Sequence, residues 1–283
     1  MKRTAHRLSL PVLLIGCSTA AGCSVTSPVT EAAANMFVPV SQENQMGQQM
    51  SAEVEQELPI LQDPELNAYV SEITAELLAA ADDIPEGLEF TVKIVDDPNQ
   101  INAFAIPGGN IYVYTGLLRA ADSEAELASV LAHEIAHVTQ RHIAERMVTQ
   151  LGLQTVVALA LGQNAGLLTQ LASSIGAQGF LLKHSRDAER ESDEVGMRYV
   201  VQAGYDPHGY VSFFSKLADM QQGGGMPTIL QTHPDPEERV ENAQELIAEM
   251  ETVPQFTGRE RYQRIIGQEL GSAPSTSPAG FRR

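Results

Sequence analysis

The chain has 283 residues, 43% hydrophobic and 19% charged, with 22 Gly and 15 Pro, a globular composition too apolar for a disordered protein. Acidic residues outnumber basic ones 36 to 18, for a formal charge of -18; a surface of that sign repels phosphate backbones, so no nucleic-acid partner is expected. Both cysteines, Cys17 and Cys23, lie near the N-terminus, which excludes a disulfide framework, thiolate metal sites and cysteine catalysis from the body of the protein.

Lys2, Arg3 and Arg7 precede a short apolar run from Leu8 to Ile15, the pattern of a signal peptide over 1–16. Leu14-Ile15-Gly16-Cys17 resembles a bacterial lipobox, with Cys17 as the lipidated residue; Ala20-Ala21-Gly22-Cys23 is a weaker match, because it lacks the large apolar residue three before the cysteine. Ser18 or Ser24 would follow the lipidated residue, and neither is the Asp that resembles an inner-membrane retention signal. The expected location is therefore the outer membrane, as a lipoprotein facing the periplasm; the alternative is a soluble periplasmic protein. Residues 17–40 are small and polar and read as a flexible tether.

A helix is expected from about Gln42 to Leu58, ended by Pro59. Asp63-Pro64 is an N-cap and N1 pair for a second helix, with an apolar face of Leu66, Tyr69, Val70, Ile73 and Leu77. Phe90, Val92 and Ile94 alternate with polar residues, as in a half-buried strand. Asn102–Ile106 and Asn110–Thr115 flank Pro107-Gly108-Gly109 and predict a β-hairpin. Ser123 with Glu126 forms a capping box for one helix from about Glu124 to Gln150. The apolar, Gly-interrupted stretch 151–182 reads as core helices or as a lid touching membrane or a partner. Helices follow over about Ser185–Ala203, from Asp206-Pro207 to Met220, and from Pro236 to Glu251, with a mobile loop at Gly223-Gly224-Gly225. The expected class is α+β, mainly helical with one small β-sheet.

Within the capped helix, His133-Glu134-Ile135-Ala136-His137 is an HExxH pattern. Residues four apart project from one helical face, so both imidazoles can share a metal. Glu134 is rotated by about 100° towards the water, where a general base is needed. His142, about 180° round a continuous helix from His133, cannot join them and reads as an exposed polar residue. Downstream, Glu189 and Asp193 are four apart in an ExxxD pattern. That spacing lets Glu189 bind the metal while Asp193 accepts the outer N–H of a ligand histidine.

HExxH with a downstream ExxxD resembles the zinc metallopeptidases that include the CAAX prenyl protease and the heat-shock protease HtpX, and is most like their periplasmic and lipoprotein members, such as the beta-barrel assembly-enhancing protease. Asn102-Ala103-Phe104-Ala105-Ile106-Pro107-Gly108-Gly109, Gly204-Tyr205-Asp206-Pro207 and Thr232-His233-Pro234 with Arg239 carry the rest of the resemblance. It implies a zincin-like (gluzincin) domain holding one Zn2+ per chain through His133, His137 and Glu189, with Glu134 as base. His233 and Arg239 are implied active-site helpers. Either residue donates to the developing oxyanion, or His233 sits on the zinc as a fourth ligand and blocks it, the triple glycine letting it swing.

An extended polypeptide is expected to add to the sheet edge, at Asn102, Ala103, Phe104 and Ala105 or at Ile111–Thr115. The expected division is a peptidase domain over 41–250, a helical extension over 251–270 and a disordered tail over 271–283. The expected function is a zinc endopeptidase of the bacterial envelope, cleaving misfolded or misassembled periplasmic and outer-membrane proteins. Its partners would be unfolded or stalled polypeptides, the outer membrane through the lipid anchor, and the assembly machinery. The alternative is a chaperone-like assembly lipoprotein that binds clients with little or no proteolysis.

Overall fold

In the computed structural model the described residues are 38–178 and 184–271. The expected signal peptide, Cys17, Cys23, the tether up to residue 37 and the tail after residue 271 lie outside them. Helix α1 (Val40–Glu57) buries Met46, Met50 and Val54. It lies so close to the Pro107–Gly109 turn that a Cβ on Gly47 would stand 2.0 Å from the Pro107 carbonyl oxygen. Helix α2 (Pro64–Ala80) starts as its cap predicts: the Asp63 carboxylate accepts from the Glu65 and Leu66 amides, and the expected five apolar residues are all buried.

Strands β1 (Thr91–Val95), β2 (Ala103–Ile106) and β3 (Asn110–Tyr114) form one sheet in the order β1-β3-β2. The predicted hairpin is present as the antiparallel β2–β3 pair, with Ala103 opposite Val113 and Ile106 opposite Asn110. Its Pro-Gly-Gly link is a single 3₁₀ turn with Gly108 at φ 73°, a conformation glycine adopts without a Cβ clash. Strand β1 pairs with β3 in parallel. This places β3 in the centre, so Ile111–Tyr114 is no free edge, and Thr115 opens helix α3 (Thr115–Ala120) instead of ending a strand. Of the two candidate edges, β2 alone lies at the border of the sheet.

Helix α4 (Glu124–Thr139) is buried along its whole length. The Ser123 hydroxyl accepts from the Glu126 amide, and the Glu126 carboxylate closes the box on the Asp122 amide. The long helix expected to Gln150 breaks here: α4 ends at Thr139, Arg141 takes a left-handed φ of 60°, and α5 (His142–Leu151) sets off anew. The reversal is held from α1. Arg141 donates two hydrogen bonds to the buried Glu43 carboxylate, at 2.7 and 3.2 Å, and one to the Val38 carbonyl.

The apolar stretch forms α6 (Leu153–Ala160) and α7 (Ala165–Gln178), both packed on α1 and half-buried. Among the described residues no single helix is long and apolar enough to cross a membrane; α6 with α7 passes that test only as a pair bent by 102°. Helix α8 (Arg186–Gln202), capped by Ser185, packs along α4. Helices α9 (His208–Gln222), α10 (Ile229–Thr232), α11 (Pro236–Ala248) and α12 (Arg259–Glu269) complete a mainly helical α+β fold of zincin type.

Candidate metal centre

Helix α4 supplies His133 and His137 one turn apart, and the first turn of α8 brings Glu189 against both. The crossing that allows this is made by Gly196, where an added Cβ would meet the Ala132 carbonyl carbon and the His133 nitrogen at 3.0 Å. His133 Nε2 and His137 Nε2 are 2.9 Å apart, and the Glu189 carboxylate lies 3.4 Å from the first and 3.5 Å from the second. His233, just after α10, joins them: its Nδ1 is 3.2 Å from His133 Nε2 and 3.0 Å from Glu189 Oε1. All four side chains are buried and form a group able to hold a metal ion, the one such group among the described residues.

These spacings test the fit. Bonds of about 2.0–2.1 Å to a tetrahedral ion separate the donor atoms by about 3.3 Å. The five distances above, from 2.9 to 3.5 Å, bracket that value. Two imidazole nitrogens aimed at one point repel each other unless a proton or cation lies between them. The residues fit a metal, and His233 stands at the fourth corner, which a catalytic site leaves open. Facing this corner, Glu134 Oε1 and His233 Nε2 are 3.4 Å apart, both buried without a hydrogen-bond partner. Buried polar atoms left unpaired beside the donor group fit a site that takes up a further group, such as an ion or a water.

Behind the donors, Asp193 Oδ1 is 2.9 Å from His133 Nδ1, the outer N–H acceptor that the ExxxD spacing predicts. Arg239 donates to both Asp193 oxygens, from Nε at 2.9 Å and from Nη2 at 2.6 Å, and its Nη1 is 3.3 Å from Glu189. Its guanidinium also lies 3.9 Å over the Phe214 ring. The structure thus places Arg239 on the protein side of the ligands, holding two carboxylates in register.

Burial sets the electrostatics. It raises the Glu134 pKa, against the opposing pull of His233 and His133. Burial would raise Glu189 too, but His233 and hydrogen bonds from His133 and His137 hold it well below the carboxylate range. Burial and the Arg239 charge depress His133, yet hydrogen bonds to Asp193 and Glu189 outweigh them and push it up to about 9. Burial and the neighbouring His184 hold His137 well below its ordinary value.

Two residues near the centre escape sequence reasoning. His142 is neither exposed nor on the far side of the helix: the break after Thr139 turns it back, and its Nδ1 lies 3.0 Å from His137 Nδ1. His184, ahead of the Ser185 cap, stacks on His137 with ring centroids 3.8 Å apart. No glycine or proline marks the break, and a histidine after a long apolar stretch has no spacing to give it away. Asn102, Ala103, Phe104 and Ala105 are buried beside α4, their strand at the sheet edge, and the Ile101 carbonyl accepts from the Ile229 amide at the start of the segment that carries His233.

A buried group of three histidines and a glutamate able to hold a metal, with the Glu134 carboxylate beside it, defines the class: the site is that of a metallopeptidase. The chain belongs to peptidase family M48, whose sequence profile matches residues 64–247, as the resemblance in its motifs implies. It is 32% identical over 228 residues to the beta-barrel assembly-enhancing protease of Escherichia coli K12, covering 77% of this chain and 46% of that one. It is 32% identical over 252 residues to the protein of that name in Yersinia pestis, covering 84% and 51%. A mitochondrial metalloendopeptidase of Schizosaccharomyces pombe is 32% identical over 183 residues, 64% of this chain and 53% of its own. The chain spans about half the length of these curated relatives.

Proposed function

We propose that this chain is a zinc-dependent endopeptidase of the bacterial cell envelope that cleaves misfolded or misassembled periplasmic and outer-membrane proteins. The observation that carries the reading is the buried group of His133, His137, Glu189 and His233 with Glu134 facing its fourth corner. Three imidazole nitrogens and one carboxylate are a donor set that suits zinc. Zinc bound there would lower the pKa of a water towards 7 and polarise the scissile carbonyl.

Glu134 would take the proton of the attacking water and pass it to the leaving amine. With Arg239 engaged by Asp193 and Glu189, donation to the developing oxyanion falls to His233. His233 is also close enough to the other donors to serve as a fourth ligand, and in that position it would keep the enzyme latent. The Gly223–Gly225 loop, with Gly224 at φ 86°, lets the His233 segment swing aside for substrate.

The names of two relatives, beta-barrel assembly-enhancing protease, support a role in the assembly of beta-barrel proteins. The lipobox-like run at Cys17, or at Cys23, supports anchoring to the outer membrane on its periplasmic side. A polypeptide is read as adding to the β2 edge at Asn102–Ala105, so that backbone shape counts for more than sequence. The test is cleavage of an unfolded outer-membrane protein by the zinc-loaded chain, with Glu134→Gln as control. Equal cleavage by both would sink the mechanism, and client binding without cleavage by the wild type would favour the chaperone-like alternative. For the latency, His233→Ala is expected to change basal cleavage and metal affinity; if both stay as they were, gating by His233 is wrong.

A further inference from the structure

The other ring nitrogen of each ligand histidine is held differently. For His133 the partner is the Asp193 carboxylate. For His137 it is another imidazole. His137 Nδ1 lies 3.0 Å from His142 Nδ1, and His142 Nε2 lies 3.2 Å from Glu191 Oε2. The Ser192 hydroxyl approaches the same His142 Nδ1 at 3.2 Å. On the flat side of the ring, His184 stacks at 3.8 Å with an interplanar angle of 22°. Both His142 and His184 are buried.

We propose that His142 and His184 are positioning residues for His137, His142 setting its tautomer through a hydrogen bond and His184 setting its ring plane by stacking. One proton arrangement satisfies the chain of contacts. His137 offers Nε2 to the donor group, so its proton sits on Nδ1. That N–H needs an acceptor, which makes His142 Nδ1 unprotonated and puts the His142 proton on Nε2, where it donates to Glu191. This is a carboxylate–histidine–metal triad with one more imidazole in the middle.

Position in the fold explains the need. His137 stands in the last turn of α4, two residues before the helix ends and the chain reverses at Arg141. Beyond it the helix supplies no further turn to pack against the ring, and the contacts come from the chain that follows. The clamp comes from the segment that joins the two ligand-bearing helices. His142 lies three residues after the end of α4 and His184 two residues before the start of α8, and both close on one ring.

The inference rests on the metallopeptidase reading of the donor group. It is tested on the full zinc-loaded chain with ¹⁵N-labelled histidines, by two-bond nitrogen–proton correlation. The expected pattern is His137 protonated at Nδ1 and His142 protonated at Nε2; a proton on His142 Nδ1 overturns the relay without touching the zinc site. Zinc competition with a chelator adds a second readout. His142→Leu is expected to lose about tenfold or more in zinc affinity, as outer-shell partners do, while His142→Asn, which keeps an acceptor, stays within about threefold of wild type. His184→Ala is expected to lose about threefold or more and His184→Phe to keep its affinity, because the stack survives. Wild-type affinity in the Leu or Ala variants, or equal losses in Leu and Asn, would overturn the assignment. A wild-type chain that binds no zinc would remove the proposed function as well.

Discussion

Replacing Gly196 by alanine tests whether the close approach of α4 and α8 is what brings Glu189 to the two histidines. Helix propensity alone favours alanine at this interior position by about 1 kcal/mol. Space opposes it. The new Cβ would lie 2.3 Å from the Tyr210 hydroxyl oxygen and 3.0 Å from two backbone atoms of α4. Tyr210 is fully buried, and every residue of α4 is buried too, so neither has solvent to move into. Overpacking of this kind costs about 1–3 kcal/mol, and two of the three contacts here are with backbone, so the upper half of that range applies. The clash wins, leaving a net loss of about 1–2 kcal/mol. The easiest relief is a shift of α8 away from α4, which carries Glu189 from the imidazoles and weakens metal binding. The Tyr210 hydroxyl has no hydrogen-bond partner, so Tyr210→Phe alone is expected to be neutral or slightly stabilising, and in the double variant it recovers about half of the loss. Urea unfolding of the metal-free protein, paired with metal titration of each variant, measures both consequences. A Gly196→Ala protein as stable as wild type, with the same metal affinity, would refute the argument.

Other consequences follow from the charges around the donors. Metal binding must displace the proton that His133 holds up to pH about 9, so affinity is expected to rise about tenfold per pH unit between pH 6.5 and 9; a plateau from pH 7 upwards would contradict this. The same raised pKa stabilises the metal-free fold fully below pH 6.5 and ceases to do so as pH rises through about 9, a loss on the order of 3 kcal/mol. The depressed His137 and His184 do not offset it, since their contribution is already complete above pH 6.5. Denaturation with chelator present at pH 6.5 and at pH 9.5 checks the sign, and equal stabilities would count against it. Arg239→Met removes the permanent counter-charge of the buried Asp193 and Glu189, leaving histidines beside them, and is expected to cost about 3 kcal/mol. Arg239→Lys should not restore it, because an ammonium cannot reproduce the two-pronged bond to Asp193; thermal unfolding of the two variants decides.

The features legible in the sequence were those written in local rules. Asp63-Pro64, Ser123 with Glu126, and Ser185 each mark a helix start, because a side chain must satisfy free amides there. HExxH and ExxxD are readable because a helix converts spacing into direction, and the structure brings His133, His137, Glu189 and His233 into one group. What escaped depends on contacts distant in the chain. The left-handed Arg141 is stabilised by Glu43 from α1, nearly a hundred residues earlier, and nothing near Thr139 announces it. Once that break is missed, the periodicity that places His133 and His137 sends His142 to the wrong side. The parallel pairing of β1 with β3 was invisible for the same reason. Strand alternation shows which face is buried and says nothing about which neighbour a strand finds.

The proposed mechanism stands on one zinc ion held by two helices beside Glu134. Anomalous scattering from crystals of the zinc-loaded chain, recorded on both sides of the zinc edge, tests it most directly. A single strong peak is expected about 2.0–2.2 Å from His133 Nε2, His137 Nε2 and the Glu189 carboxylate, with His233 as the fourth neighbour in the latent form. No peak there, or zinc held elsewhere on the chain, would contradict it.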